Sequence, residues 1–129
     1  MAPKKKNHSV QDKLFEGVVA RTIQELPRDL RDALSTVQIL VQPRPGTSSK
    51  NGRGDEEDLL GVFEGMSLKD WPIGMERMLP DRIVLYQENL QNSYPDREEL
   101  KREIRRTLLH EMGHYFGFDE KELKERGLE

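Results

Sequence analysis

Apolar residues recur at three- and four-residue spacings near the start of the chain, at Leu14, Phe15, Val18, Val19, Ile23 and Leu26, with Thr22 among them. That period predicts an amphipathic helix from Val10 to about Leu26, capped by Ser9 and stopped by Pro27. A short helical turn is expected over Arg28 to Leu34. At Thr36–Gln42 the period changes to two, with Val37, Ile39 and Val41 on one face, which predicts a strand closed by Pro43 and Pro45. Leu59–Glu64 and Asp81–Gln87, rich in β-branched and aromatic residues, are two more expected strands. Between them Trp71-Pro72-Ile73-Gly74 marks a compact turn, with Trp71 as a core filler.

The last third carries a longer helical pattern. Asp96 and Glu99 form an Asp-x-x-Glu capping signal, and no proline interrupts the chain from Arg97 to Phe116. Leu100, Ile104, Leu108 and Tyr115 share one face of that helix, and Gly117 is placed to end it in the left-handed conformation. Asp119 and Glu122 repeat the capping signal before a short final helix that ends ahead of Gly127. Helix, three strands, then two helices is an α+β order. Residues 9–129 are expected to form one domain, preceded by a disordered basic arm at residues 1–8 that contains Lys4, Lys5, Lys6 and His8. Residues 46–58 include no apolar side chain and are expected to be a mobile loop; the Arg53-Gly54-Asp55 tripeptide within it is read as chance.

Composition narrows the function. The 129 residues include 21 Lys and Arg against 24 Asp and Glu, a net charge of −3, without the basic surplus that general nucleic-acid binding requires. There is no cysteine, which removes disulfide scaffolds, thiolate metal sites and cysteine nucleophiles, and fits a reducing, cytoplasmic setting. No apolar run approaches the roughly 18 residues that span a bilayer, and the basic N-terminus lacks the apolar segment of a signal peptide.

Chemistry concentrates at His110-Glu111-Met112-Gly113-His114. Two histidines four apart on a helix sit about 40° apart around its axis and one turn apart along it, so both rings can converge on one cation. Glu111, about 100° round from His110, can address a zinc-bound water and take its proton. His114 and Glu111 both lie within about 40° of the Leu100/Ile104 stripe and are expected to face the interior or a cleft. The run continues to His-Glu-x-x-His-x-x-Gly-x-x-Glu. A bend at Gly117 would return Glu120 as third ligand; Asp119 is the alternative, disfavoured because the N-cap role occupies its oxygens.

The segment from Asp96 through His-Glu-Met-Gly-His-Tyr-Phe-Gly-Phe-Asp-Glu resembles the zincin-type metallopeptidases, in particular small bacterial proteins of minimal zincin-like fold with an HExxHxxGxx(D/E) motif. Leu59–Gly65 and Leu79–Gln87 share in the resemblance, which extends from about Leu14. It implies a small, mostly antiparallel or mixed sheet packed against the N-terminal helix and the motif helix. It also implies Zn2+ held by His110, His114 and Glu120, with Glu111 as general base. The chain departs from the larger metzincins, which place histidine where Glu120 stands and a methionine turn downstream; none follows Met112 here.

Two functions follow as expectations. The first is a zinc-dependent peptidase acting on peptide or protein substrates, with an extended substrate pairing along an edge strand, either Leu59–Glu64 or Asp81–Gln87. The second is a non-catalytic zinc module that binds another protein. Tyr86, Tyr94 and Tyr115 all remain open as stabilisers of an oxyanion.

Overall fold

The computed structural model describes residues 10–45, 59–70, 72, 74 and 81–128. The basic arm, the 46–58 loop and Trp71 lie outside the described residues. Helix α1 (Val10–Gln24) leads into α2 (Arg28–Ala33) and a 3-10 turn (Leu34–Thr36). Strands β1 (Val37–Gln42), β2 (Gly61–Glu64) and β3 (Asp81–Tyr86) follow, then α3 (Gln87–Ser93), α4 (Arg97–Phe116) and α5 (Glu120–Glu125).

The sheet has the order β1-β3-β2, with β1 parallel and β2 antiparallel to β3. It is therefore mixed, and β3 is central. An edge-strand role for Asp81–Gln87 is ruled out, because both sides of that strand already carry hydrogen-bonded neighbours. A central strand is also where a continuous apolar run belongs, and Ile83, Val84 and Leu85 are all at most 1% exposed. Ile83 and Leu85 join the main core with Phe15, Leu90, Ile104, Leu108 and Met112. Val37 and Ile39 of β1 pack against that core, but Val41, expected on the same face, is 37% exposed at the far end of the edge strand.

Helix α4 organises the rest, packing on β2 and β3 along one side and on α1 along another. Its boundaries match the sequence pattern. Asp96 accepts a hydrogen bond from the Glu99 backbone N–H at 3.0 Å, and Gly117 closes the helix at φ 80°. Tyr115 Oη donates to the Ala33 carbonyl at 3.2 Å, tying the end of α4 to the segment before β1. Beyond β2, Gly65 adopts φ 145° and passes so close to the buried Asp81 that an added Cβ would meet its Oδ1 at 2.2 Å. The same oxygen accepts from the Met66 N–H at 3.3 Å. Among the described residues no helix is long and apolar enough to cross a membrane.

Helix α3 is absent from the sequence expectation, which carried the third strand to Gln87 and left the next residues unassigned. Its one buried side chain is Leu90, too little to set a period. It has no side-chain N-cap. The ties that hold it are tertiary: Glu88 N–H donates to the Pro43 carbonyl at 2.8 Å, and Asn89 Nδ2 to the Leu59 carbonyl at 2.7 Å.

Candidate metal centre

The histidine motif occupies the last two turns of α4. His110 and His114 present Nε2 atoms 3.2 Å apart, with their rings nearly perpendicular at 89°. One donor atom from each of His110, Glu111 and His114 lies within 4.8 Å of the others. A tetrahedral zinc ion with Zn–N bonds of about 2.0–2.1 Å sets its two nitrogens roughly 3.3 Å apart. The two imidazoles therefore already have the spacing such an ion requires, and an all-nitrogen and oxygen donor set suits zinc among other divalent metals.

Glu111 is 8% exposed, whereas both histidines are exposed to solvent. Of the two side chains expected to face the interior or a cleft, Glu111 is buried and borders a cleft, whereas His114 is exposed. His114 sits on the margin of the apolar stripe, where the side chain reaches the surface. Burial pushes the Glu111 carboxyl above its ordinary pKa; the His114 and His110 rings and the Phe63 backbone N–H, which donates to the carboxylate, pull it partly back.

That N–H is available because of the sheet register. Tyr86 N–H donates to the Leu60 carbonyl at 2.9 Å. In an antiparallel ladder the bonded pairs alternate, so Leu60, Val62 and Glu64 face β3 while Gly61 and Phe63 turn their backbone groups outward. Gly61 lets strand and helix approach closely: an added Cβ would meet Thr107 Cγ2 at 2.9 Å and the Val84 carbonyl at 3.0 Å.

Two further glycines bring α5 to the centre. At Gly113 a Cβ would lie 2.8 Å from Leu123 Cδ2, so the motif's glycine lets α5 pack on α4. Gly113→Ala should cost about 1–3 kcal/mol in overpacking, offset by the roughly 1 kcal/mol that alanine gains over glycine in a helix interior, a net loss of up to about 2 kcal/mol read as a lower denaturation midpoint with an unchanged m-value. At Gly117 the left-handed φ coincides with Lys69 Cβ only 2.5 Å from an added Cβ. Gly117→Ala therefore combines backbone strain with a clash close to another backbone, and about 1–3 kcal/mol of destabilisation is expected in thermal unfolding.

The turn places the two acidic candidates differently. Asp119 accepts from Glu122 N–H at 2.8 Å while Glu122 Oε1 accepts from Asp119 N–H at 3.0 Å, a complete capping box. Glu120 projects its carboxylate to 3.3 Å from His110 Nδ1, the ring nitrogen opposite the one facing His114. It thus touches the cluster through His110 without joining the group of converging donor atoms.

A cleft of about 490 Å³ opens beside His110 and Glu111, bordered by Leu59, Leu60 and Gly61 from the β2 side and by Tyr94 and Arg106. Of the three tyrosines left open by the sequence, Tyr94 lines this cleft, whereas Tyr115 is buried and bonded to Ala33. Nothing in the sequence separated them, because Tyr94 reaches the site through the turn after α3.

The fold is shared with a solved structure, a conserved hypothetical protein from Thermus thermophilus, at 21% identity and a TM-score of 0.53 over 81% of this chain and 92% of that one. No curated protein matches the chain at a significant level. A family model described as zincin-like metallopeptidase matches residues 34–128, a span that runs from the first strand through the histidine helix to the packed final helix. Since that span holds the whole sheet as well as the histidine motif, the chain belongs to the zincin-like metallopeptidase family.

Proposed function

We propose that the protein is a zinc-dependent peptidase, with His110, His114 and Glu120 as metal ligands and Glu111 as general base. The observation that carries the proposal is the convergence of His110, Glu111 and His114, with a buried carboxylate beside two exposed imidazoles at metal-bridging distance. A purely structural site gains nothing from a desolvated carboxylate next to its ligands, whereas a base needs a raised proton affinity. Asp119 is committed to the α5 cap, which favours Glu120 as the third donor; its long side chain is 76% exposed and already reaches His110 at Nδ1.

When bound, the ion supplies Lewis acidity, which acidifies a water and polarises the scissile carbonyl. Glu111 takes a proton from the water that attacks the scissile carbonyl and delivers it to the amine as the C–N bond breaks. A peptide lies extended beside β2, the edge strand that borders the cleft, and Tyr94 is placed to donate a hydrogen bond to the developing oxyanion. Short or flexible chains are the substrates that so small a cleft accepts, in a reducing cytoplasmic compartment.

Metal removal tests this directly. Protein stripped with chelator should lose cleavage of a mixed unstructured peptide pool, and one equivalent of zinc should restore it. Cleavage that persists in metal-free protein would overturn the zinc dependence, and zinc-loaded protein that cleaves none of the pool would remove the peptidase reading.

A further inference from the structure

On the side of α4 away from the histidines, α1 and α4 enclose a second groove of about 640 Å³. Lys13 and Arg21 from α1, and Arg97, Lys101, Arg102 and Arg105 from α4, line it, against two carboxylates, Glu25 and Glu98. This is strong segregation on a chain whose net charge is −3. Arg105 is engaged with Glu25 at 3.5 Å and Lys101 with Glu98 at 3.3 Å. Lys13, Arg21, Arg97 and Arg102 form no ion pair with another described residue. Arg97 moreover occupies the first position of a 20-residue helix, where a cation opposes the helix dipole. Four cations without an ion-pair partner among the described residues stand around one groove and repel one another.

The floor is apolar. Leu14 is buried and Val18 half-buried, and Thr22 gives its hydroxyl to the Val18 carbonyl at 2.7 Å, so no unpaired donor remains on it. Gly17 leaves open space above: a Cβ there would meet nothing within 4 Å. An apolar strip between rows of cations matches one kind of occupant by charge and shape, a helix with a leucine-like stripe flanked by glutamates and aspartates. Single-stranded nucleic acid fits less well, because no phenylalanine, tyrosine or tryptophan lines the groove to stack a base.

We propose that the α1–α4 groove binds an acidic amphipathic helical segment of a partner protein. The site is separate from the metal centre and does not rest on the peptidase reading.

The test is an anisotropy titration of the full chain with a fluorescein-labelled helical peptide of about 20 residues, long enough to hold helix in water, carrying leucine at i, i+3 and i+4 and glutamate elsewhere. Saturable binding that weakens with salt is expected, and the same peptide with lysine or glutamine in place of glutamate should bind at least about tenfold more weakly. The triple variant Lys13→Glu, Arg97→Glu, Arg102→Glu should lose at least about tenfold in affinity, whereas Arg28→Glu, Lys121→Glu, Lys124→Glu, an equal change of charge elsewhere, should lose less than about twofold. If charge reversal unfolds the chain by circular dichroism, the neutral triple with glutamine at the same three positions serves, with a smaller loss in the same direction. Glu111→Gln should bind the peptide as wild type does, which separates this groove from the cleft. Absence of binding, equal losses in the two triples, or tighter binding of a single-stranded oligonucleotide of matched charge would overturn the proposal.

Discussion

Glu111→Gln should reduce peptide hydrolysis by roughly 10²–10⁴-fold, the usual contribution of a positioned general base, while zinc content stays at the wild-type level. Glutamine keeps the shape of the side chain and an oxygen for the Phe63 N–H, so the cleft is preserved and only the proton acceptor is lost. A second readout comes from the metal-free protein. Burial raises the Glu111 pKa in the folded state, so between the ordinary glutamate value and the raised one the folded chain keeps a proton that the unfolded chain has released. Stability of the wild type therefore falls as pH rises through that interval and levels off above it. The variant has no proton to lose there. It should lack this slope and exceed the wild type in melting temperature on the alkaline side, as measured by thermal unfolding across a pH series. Full activity in the variant would sink the base assignment, and absence of hydrolysis in wild type and variant alike would leave the non-catalytic zinc module as the better description. Unchanged activity together with an unchanged pH slope would mean that the carboxylate is not desolvated at all.

What the sequence discloses here depends on how local the cause is. Helix α4 is readable to the residue because both its ends are written in side chains, Asp96 at the cap and Gly117 beyond the last turn. The pairing of His110 with His114 is likewise a consequence of helical pitch, and Asp119 announces its cap through Glu122 three residues on. Strand Asp81–Tyr86 was recognisable as a strand, but its central place in the sheet was not, since β2 and β1 reach it across long intervening segments. Helix α3 depends on bonds it donates to the Pro43 and Leu59 carbonyls, residues more than 25 positions away in sequence, and so leaves no local trace. The same limit applies to Tyr94 and to the hydrogen bond from Phe63 to Glu111, which exist only after β2 docks on α4. Gly113 is the instructive intermediate: it stands in a variable position of the motif, and its need for a bare Cα arises from Leu123 on the next helix.

Ligand substitutions carry the other large effect. His114→Ala and His110→Ala each remove one nitrogen of a pair already held 3.2 Å apart, and the remaining donors cannot re-form the cage on a rigid helix. Zinc affinity should fall by more than the roughly 10–100-fold typical of disturbing an outer partner, measured by competition with a calibrated chelator. The acidic pair then separates by role. Glu120→Ala, at the exposed first position of α5, should weaken zinc by at least that amount with little change in the stability of the metal-free fold. Asp119→Ala should do the reverse, costing about 1 kcal/mol in the metal-free protein through loss of the capping box while leaving most of the affinity. Exchange of these two outcomes would reassign the third ligand to Asp119. A Glu120→Ala loss confined to the lower, outer-partner range would instead make Glu120 the group that holds Nδ1 of His110 at its observed 3.3 Å, orienting the ring without touching the ion. Should either histidine variant keep wild-type affinity, the cation would have to be held elsewhere, because both nitrogens are required by the geometry from which the site was inferred.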